Sequence, residues 1–530
     1  MEAATRSRVI SASSSSIARR LPDSSRLAWI VALVGLANLI VLLAQASSLV
    51  HSLYLNADNA AALVMPALAG HAPAGAVVNL GNHPWYEPWW FMRATVGLPG
   101  YRQLWEAAPL IAGLLGAAAV AACAWWALGR LAGLLSAVVL FAASEAQRWI
   151  LYVPESHGLI VIHLAALCAA LLFVQRRAFA GRLTPRALLL VGVPLVLFTG
   201  AGFTDQLVLA GGLAPLILAP LLCWLLTHVM QDQNVVHSPF PVDFVGSEAL
   251  VTGLQNLVAT IASLGGGSFF GAPVSGSNLL TFAAGALTLL ALAAILRALW
   301  RWAATDPPAA SATPAERSAT QAGSRELFVA YWGSVLMLAL AVFALTSVSG
   351  STTNGRYLLG AWAAIAALLG ILASVPIARM ALLTGVALFG VLNLHAELAS
   401  GVAPAGVGPG QRLAGMIERF ATAHGASVGY GSYWDSAPVT WETHLRVKLY
   451  PVGTCATPAG LCPYYNNQIS SWYLPRANTS SFLLTDSRTN VPGAITGPPA
   501  GFGRPTAVDD VGEGLTVYVY DHDVAADLGG

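Results

Sequence analysis

Apolar runs long enough to cross a lipid bilayer recur through the first 400 residues, with short polar segments between them. A transmembrane helix needs about 20 predominantly apolar residues, and the pattern predicts about eleven spans. They cover residues 27–46, 109–128, 131–143, 158–174, 187–202, 207–229, 249–264, 279–299, 327–345, 357–375 and 381–398. The chain is therefore predicted to be mainly α, a polytopic membrane helix bundle.

The span at 249–264 is the weakest of these predictions because it contains Thr252, Gln255 and Asn256. It is kept because the segments before and after it are both assigned to the cytoplasm. One crossing must then lie between residues 229 and 279.

Arginines set the predicted orientation, because cytoplasmic loops carry an excess of Lys and Arg. The Ser-rich tail 1–26 is rich in arginine, and Arg176, Arg177, Arg182 and Arg186 follow the span at 158–174. The tail is predicted to be disordered and cytoplasmic. The run at 27–46 is longer than the apolar core of a cleaved signal peptide, which favours a membrane anchor. An odd number of spans then places the C-terminus outside.

From residue 401 the composition changes to that of a soluble domain. A helical pattern at 411–423 precedes strand-like runs at 427–433, 446–452, 481–485 and 515–520. The chain thus divides into a tail (1–26), a transmembrane part (27–400) and a small α/β extracytoplasmic domain (401–530). Cys455 and Cys462 lie in this last part, where a disulfide is favoured over a metal site because no His pair is near.

Composition excludes some functions. Only 10% of the residues are charged and 56% are hydrophobic, with a net charge of +1. That balance offers no basic surface for nucleic acid. The cytoplasmic segments contain no glycine-rich phosphate loop, so no nucleotide-driven engine is predicted.

Ionisable residues concentrate on the predicted outer side, each near the end of a span. The first outer loop, 51–106, holds Asp58 and an aromatic run that begins at Asn82. Ionisable groups at such depth are costly unless they are paired or functional. Because these residues all lie on one side, an outward-facing active site is favoured, and a transport pathway across the bilayer is disfavoured. The residues are Asp58, His83, Glu87, Arg93, Arg148, Glu155, His157, Asp205 and Arg356.

Asp58 and three short motifs follow one another along the predicted outer loops. Asp58 follows the first span, and His83-Pro84-Trp85-Tyr86-Glu87-Pro88 comes later in the same loop. A second outer loop carries Pro154-Glu155-Ser156-His157, and a late loop enters a span as Gly355-Arg356-Tyr357-Leu358-Leu359. In order and sidedness these motifs resemble the GT-C glycosyltransferases of the protein O-mannosyltransferase and aminoarabinose-transferase type.

The sequence also departs from that family. Asn59 follows Asp58 at the position where the mannosyltransferases carry the second acid of a pair. Tyr433-Trp434-Asp435 has only a superficial similarity to the WWDYG signature of oligosaccharyltransferases.

The resemblance implies an inverting transfer of a sugar from a polyprenyl-phosphate donor to an extracytoplasmic acceptor, which is an envelope glycan, a lipid or a protein. Asp58 is predicted to be the general base, because a carboxylate of raised pKa can accept the acceptor's hydroxyl proton. Glu155 is the second predicted catalytic residue. No cofactor or metal site is predicted, although a divalent metal stays open. The predicted substrate-binding residues are His83, Glu87, Arg93, Arg148, His157, Arg356 and Tyr357.

Simpler interpretations stand beside these. Asp58 could cap a helix that begins at Asn59, the tryptophans could form an interfacial belt, Glu155 and His157 could be solvated, and Arg356 could be an interfacial anchor. The rival functional class is a transporter or flippase, for which the sequence shows no internal repeat. A membrane sensor with an exported ligand domain is the third option.

Overall fold

The computed structural model describes residues 24–46, 57–80, 95–142, 144, 158–179, 235–237, 244–267, 279–304, 316–350, 352–374, 376–400, 409–455, 460–488 and 493–529. The predicted tail, except its last three residues, and the predicted spans at 187–202 and 207–229 lie outside these ranges. The described part is mainly helical and ends in a region that contains strands.

Seven helices in the described part are long and apolar enough to cross a membrane, which indicates a membrane-embedded protein. A further apolar helix, α4, has only 12 residues. The helices of this part are α1 (Ser24–Ala44), α2 (Ala57–Ala69), α3 (Tyr101–Leu128), α4 (Arg130–Phe141), α5 (Gly158–Phe179), α6 (Ser247–Leu264), α7 (Leu279–Ala304), α8 (Glu316–Leu345), α9 (Leu359–Leu368) and α10 (Pro376–Ser400).

Helix α9 lies at the centre of the bundle. Every residue from Ala361 to Leu368 is buried, so neighbouring helices cover all faces of this helix, which is apolar all round. Small residues let those neighbours approach closely. A Cβ on Gly370, in the 3₁₀ segment that continues α9, would stand 2.3 Å from the Cβ of Ala132 on α4.

The bundle has two distinguishable ends. Helix α3 begins beside the C-terminal domain, since Arg102 Nη1 donates a hydrogen bond to the Trp441 carbonyl oxygen at 2.7 Å. At a rise of about 1.5 Å per residue, its 28 residues carry the chain roughly 42 Å away. We call the end at Arg102 the domain end and the end at Arg130 the far end.

Helix α6 begins at the domain end and ends inside the bundle. Its start is tied to the last turn of α8, where Val245 N donates to the Leu345 carbonyl oxygen at 2.9 Å. Its last carbonyl, that of Leu264, accepts from Ser144 Oγ at 2.7 Å. Gly265 follows and lies against Thr288, the tenth residue of α7 and so about 14 Å from that helix's start. Helix α6 is not among the seven helices that are long and apolar enough to cross, so the predicted crossing at 249–264 stays a prediction.

The C-terminal domain (409–529) is a mixed six-stranded sheet with helices α11 (Pro409–Ala423) and α12 (Tyr433–Glu442). The strands are β3 (Val428–Gly431), β4 (Lys448–Thr454), β5 (Leu461–Pro463), β7 (Ser481–Asp486), β8 (Ala507–Gly512) and β9 (Leu515–Tyr520). Their order in the sheet is β5-β4-β3-β7-β9-β8, and β3 is parallel to both β4 and β7.

Alternate strand residues serve two cores, as the two-residue period of a strand requires. Phe482 and Val517 pack with Ile417 of α11 on one face. Tyr430 and Leu483 point to the other face, whose hydrophobic cluster also contains residues of α2. Gly429 is needed on the first face, because a Cβ there would lie about 2.3 Å from the Phe482 ring.

A small second sheet and a disulfide complete this region. β1 (Val78–Leu80) pairs in parallel with β2 (Val235–His237) and antiparallel with β6 (Gln468–Ile469) of the C-terminal domain. The structure therefore places all three strands at the domain end. Cys455 and Cys462, the pair for which the sequence favours a disulfide, are bonded and close the β4–β5 hairpin with Cα atoms 5.2 Å apart.

Candidate functional site at the junction of the bundle and the C-terminal domain

The helix that carries Asp58 lies at this junction. Helix α2 packs against α12, and Val64 and Leu68 share a hydrophobic cluster with Trp441. Because α2 begins at Ala57, Asp58 is its second residue and does not occupy the cap position of a helix that starts at Asn59.

Arg102 joins the membrane bundle to the C-terminal domain. It has four partners, one on its own helix α3 and three in the C-terminal domain. Its Nε contacts Glu106 Oε1 at 2.7 Å, and its Nη2 contacts Glu442 Oε2 at 3.3 Å. Its Nη1 donates to the Trp441 carbonyl oxygen at 2.7 Å and lies 2.9 Å from His444 Nδ1. The guanidinium also lies over the Trp441 ring, 4.9 Å from its centroid. We call these five residues the Arg102 junction.

The charges of the Arg102 junction are nearly removed from water. Arg102 is 15% exposed, Glu106 11% and Glu442 9% by side chain. Burial raises the pKa of Glu442, and the nearby Arg102 opposes that change. Burial and the positive charge of Arg102 lower the pKa of His444, which keeps its imidazole neutral and able to accept from Arg102. The junction is thus an enclosed ionic lock between α3 and α12.

Arg356 and Tyr357 lie in the 3₁₀ segment Thr352–Leu358, which contacts α6 at the domain end. Both side chains are half-buried. Arg356 Nη2 donates to Tyr357 Oη at 3.3 Å, and its guanidinium lies 5.1 Å from the centroid of the same ring. The ring therefore holds the cation in place at the end of the bundle that bears the C-terminal domain.

A second polar cluster lies at the carboxyl edge of the C-terminal sheet. The chain runs from β3 through α12 to β4, while β7 lies on the other side of β3. Ligands bind in parallel sheets at such a switch point. There Arg488 Nη2 contacts Asp435 Oδ1 at 2.7 Å and Asp486 Oδ2 at 2.8 Å, and Ser432 Oγ donates to Asp435 Oδ2 at 2.6 Å.

Burial and the neighbouring charges have opposite effects on the pKa values of this cluster. Burial raises the pKa of Asp435, whereas the Ser432 hydrogen bond and the charge of Arg488 act against burial. The hydrogen bond to Asp486 and the two neighbouring carboxylates raise the pKa of Arg488, so its guanidinium stays charged.

Aromatic rings continue from the same point. Tyr433 stacks on Tyr464 with centroids 4.7 Å apart and planes at 20°, and Tyr464 contacts Tyr465 at 4.7 Å. Trp434 meets Tyr433 at 5.5 Å, and Tyr465 is 62% exposed. We call these four residues the aromatic row. Sequence reasoning missed it as a site, although the Ser-Tyr-Trp-Asp run, which follows β3 and forms the start of α12, was a usable signal.

Several predicted site residues fall outside the described part of the chain. For Asp58 the structure describes the helix that bears it, and it brings this helix to the domain end with Arg356 and Tyr357. Within the described residues, no group of three or more His, Cys, Asp or Glu side chains is placed to hold a metal ion. The site residues outside the described part are His83, Glu87, Arg93, Arg148, Glu155 and His157.

Comparison with known proteins adds no relative: no family model, curated protein or solved structure matches the chain.

Proposed function

We propose that this protein is an inverting membrane glycosyltransferase of the GT-C type that moves a sugar from a polyprenyl-phosphate donor to an extracytoplasmic acceptor. The observation that carries the proposal is the position of α2. This helix, in which Asp58 is the second residue, is packed between the end of a membrane bundle and a soluble domain. A base at that boundary can meet both a lipid-linked donor and a water-soluble acceptor.

The orientation in this proposal follows from the arginines. Among the bundle arginines whose side chains the structure describes, Arg102 and Arg356 lie at the domain end, whereas the others lie toward the far end. Because cytoplasmic ends carry the positive excess, the far end is cytoplasmic and the C-terminal domain is outside. The far-end arginines are Arg26, Arg130, Arg176, Arg177, Arg297, Arg301, Arg325 and Arg379.

Two described segments can be assigned to sides in this orientation. Helix α5 ends at the far end, where Arg176 Nη2 donates to the Trp126 carbonyl oxygen at 3.1 Å. Strand β2 lies at the domain end through its pairing with β1. The predicted spans at 187–202 and 207–229 lie between these two segments and outside the described residues.

Labelling of introduced cysteines from outside the cell tests the proposed orientation of the bundle. Thiols at positions 237 and 246 should react with a membrane-impermeant reagent, because β2 and the start of α6 lie at the domain end. A thiol at Arg301, exposed on α7 at the far end, should not react. Labelling at 301, or protection at both 237 and 246 until the membrane is permeabilised, would contradict the orientation.

The transfer itself needs little from the protein beyond positioning and charge. The acceptor hydroxyl oxygen attacks the anomeric carbon, and the bond from that carbon to the phosphate oxygen breaks. Asp58 accepts the hydroxyl proton. Arg356, held by Tyr357, stabilises the charge that develops on the departing polyprenyl phosphate. Glu155 and His157 are proposed to orient the substrates, with His83, Glu87, Arg93 and Arg148 as further binding groups.

Two further features suit the proposed substrates. A cavity of about 390 Å³ between α7, α9 and α10 has an almost wholly apolar lining that includes Leu287, Trp362 and Phe389. Such a cavity can take part of a prenyl chain. The aromatic row offers ring faces on which a sugar of the acceptor can stack. Asp435 and Arg488 lie nearby as hydrogen-bonding groups, which suits acceptor selection by the C-terminal domain.

A transfer assay decides between the proposed enzyme and its rivals. Purified protein in lipid vesicles, given polyprenyl-phosphate sugars and an envelope glycan or lipid extract, should release polyprenyl phosphate and label the acceptor. A transporter or flippase would move the intact donor between leaflets without breaking the bond between sugar and phosphate. Donor translocation without cleavage, over a panel of sugars, would overturn the proposal.

A further inference from the structure

A cavity of about 590 Å³ opens at the far end of the bundle, remote from the proposed active site. It lies where the turn between α3 and α4, the membrane-entering part of α8, the 3₁₀ continuation of α9 and the start of α10 come together. Three arginines from three different helices line it: Arg130, Arg325 and Arg379. We call it the arginine pocket.

The positive charge of the arginine pocket is not neutralised by the described protein. No carboxylate lines the pocket, and none of the three arginines forms a salt bridge within the described residues. Arg379 Nε donates to the Ala373 carbonyl oxygen at 3.0 Å, which orients its guanidinium and leaves the two Nη groups for another acceptor. Like charges around one cavity repel each other, and a bound anion would relieve that repulsion.

The rest of the lining identifies the class of anion. Leu128, Leu131 and Ile371 share the cavity with the arginines and with Ser374. The pocket therefore offers apolar surface beside cationic groups, as a lipid at the boundary of a bilayer requires. Its polar side also includes Arg130, the first residue of α4, whose N-cap residue Gly129 makes no side-chain cap. The free N–H groups of a helix start favour phosphate oxygens.

We propose that the arginine pocket binds the phosphodiester head group of an anionic phospholipid, with its acyl chains along the apolar lining. Arginine forks match phosphate oxygens in pairs, and basic pockets between membrane helices on the cytoplasmic side hold such head groups. The general excess of arginine at a cytoplasmic end explains each of these residues singly. It does not explain why three of them surround one cavity whose described lining contains no carboxylate.

The bound head group would connect α4, α8 and α10 at the far end. This role does not depend on the proposed sugar transfer, because the pocket lies at the opposite end of the bundle from Asp58 and Arg356.

The test measures lipid binding by the full chain in nanodiscs of phosphatidylcholine that contain increasing fractions of phosphatidylglycerol or cardiolipin, with native mass spectrometry as the readout. The wild type should retain anionic lipid. Arg130→Gln or Arg379→Gln should each weaken that retention about fivefold, and the double variant roughly twenty-five-fold. Arg325→Gln changes an exposed residue and serves if Arg379→Gln fails to fold.

The matched control is Arg301→Gln, which removes an exposed far-end arginine that does not line the pocket. It should leave retention unchanged. Equal loss in Arg301→Gln and the pocket variants would assign the effect to overall charge and overturn the proposal. No preference of the wild type for anionic lipid would overturn it too. If millimolar inorganic phosphate displaces the lipid completely, the pocket takes a free anion and the lipid assignment fails.

Discussion

Replacing Asp58 with asparagine is expected to lower the single-turnover rate of sugar transfer by a factor of about 10²–10⁴, the usual contribution of a general base. The amide keeps the size and polarity of the carboxylate but cannot accept the proton of the acceptor hydroxyl. Donor binding should persist, because the proposed phosphate partner is Arg356. The measurements are donor affinity and single-turnover rate in one membrane preparation.

Three further variants show whether the loss of activity in Asp58→Asn is specific to a general base. Arg356→Ala should weaken donor binding as well as the rate, because it removes a phosphate partner. Glu155→Gln should lose less activity if that residue only positions a substrate. Asp509→Asn makes the same chemical change at an exposed position on β8 and should leave both measurements unchanged. Turnover near that of the wild type in Asp58→Asn would remove the catalytic assignment of this residue.

Replacing Arg102 with methionine should destabilise the union of the bundle and the C-terminal domain by about 3–5 kcal/mol, as is typical when one partner of a buried ion pair is removed. Glu106 and Glu442 would remain largely buried without their cation. The expected signs are a lower melting temperature and loss of amide-exchange protection in α2 and α12. These two helices share one hydrophobic cluster and should open together.

Arg446→Met supplies the comparison. Arg446 pairs with Glu418 inside the same domain, but its side chain is 62% exposed, and exposed ion pairs contribute little to stability because water and salt screen them. Adding Glu442→Gln to Arg102→Met should restore part of the stability, because it removes one of the stranded charges. Equal stability of the Arg102 and Arg446 variants would show that the Arg102 junction does not hold the two parts together.

The Arg102 junction also links stability to the proposed chemistry. It fixes the start of α3 to the end of α12, while α12 packs against α2 and begins within the aromatic row. Loosening the junction would therefore shift the helix of Asp58 relative to the proposed acceptor-binding rings. We expect Arg102→Met to impair acceptor use more than donor affinity, because Arg356 belongs to a different segment.

Local patterns in the sequence determined the membrane class, several element positions and the nature of the C-terminal region. The run predicted at 279–299 lies within α7 (Leu279–Ala304), and the strand-like runs at 481–485 and 515–520 match β7 and β9 to within a residue. These signals are local, because burial in lipid demands continuous apolar stretches and a half-buried strand demands alternation. The spacing of Cys455 and Cys462 is local as well.

Only the tertiary structure decided the rest. An apolar helix with polar positions has the same sequence pattern whether or not it crosses the bilayer, and only the partners at the two ends of α6 show where that helix lies in the bundle. In the Arg102 junction, more than 330 positions separate Arg102 and Glu106 of α3 from Trp441, Glu442 and His444. No local pattern links them. The docking of α2 on α12, the β1–β6 pairing and the arginine pocket likewise depend on contacts between distant segments, which hydrophobic periodicity does not encode.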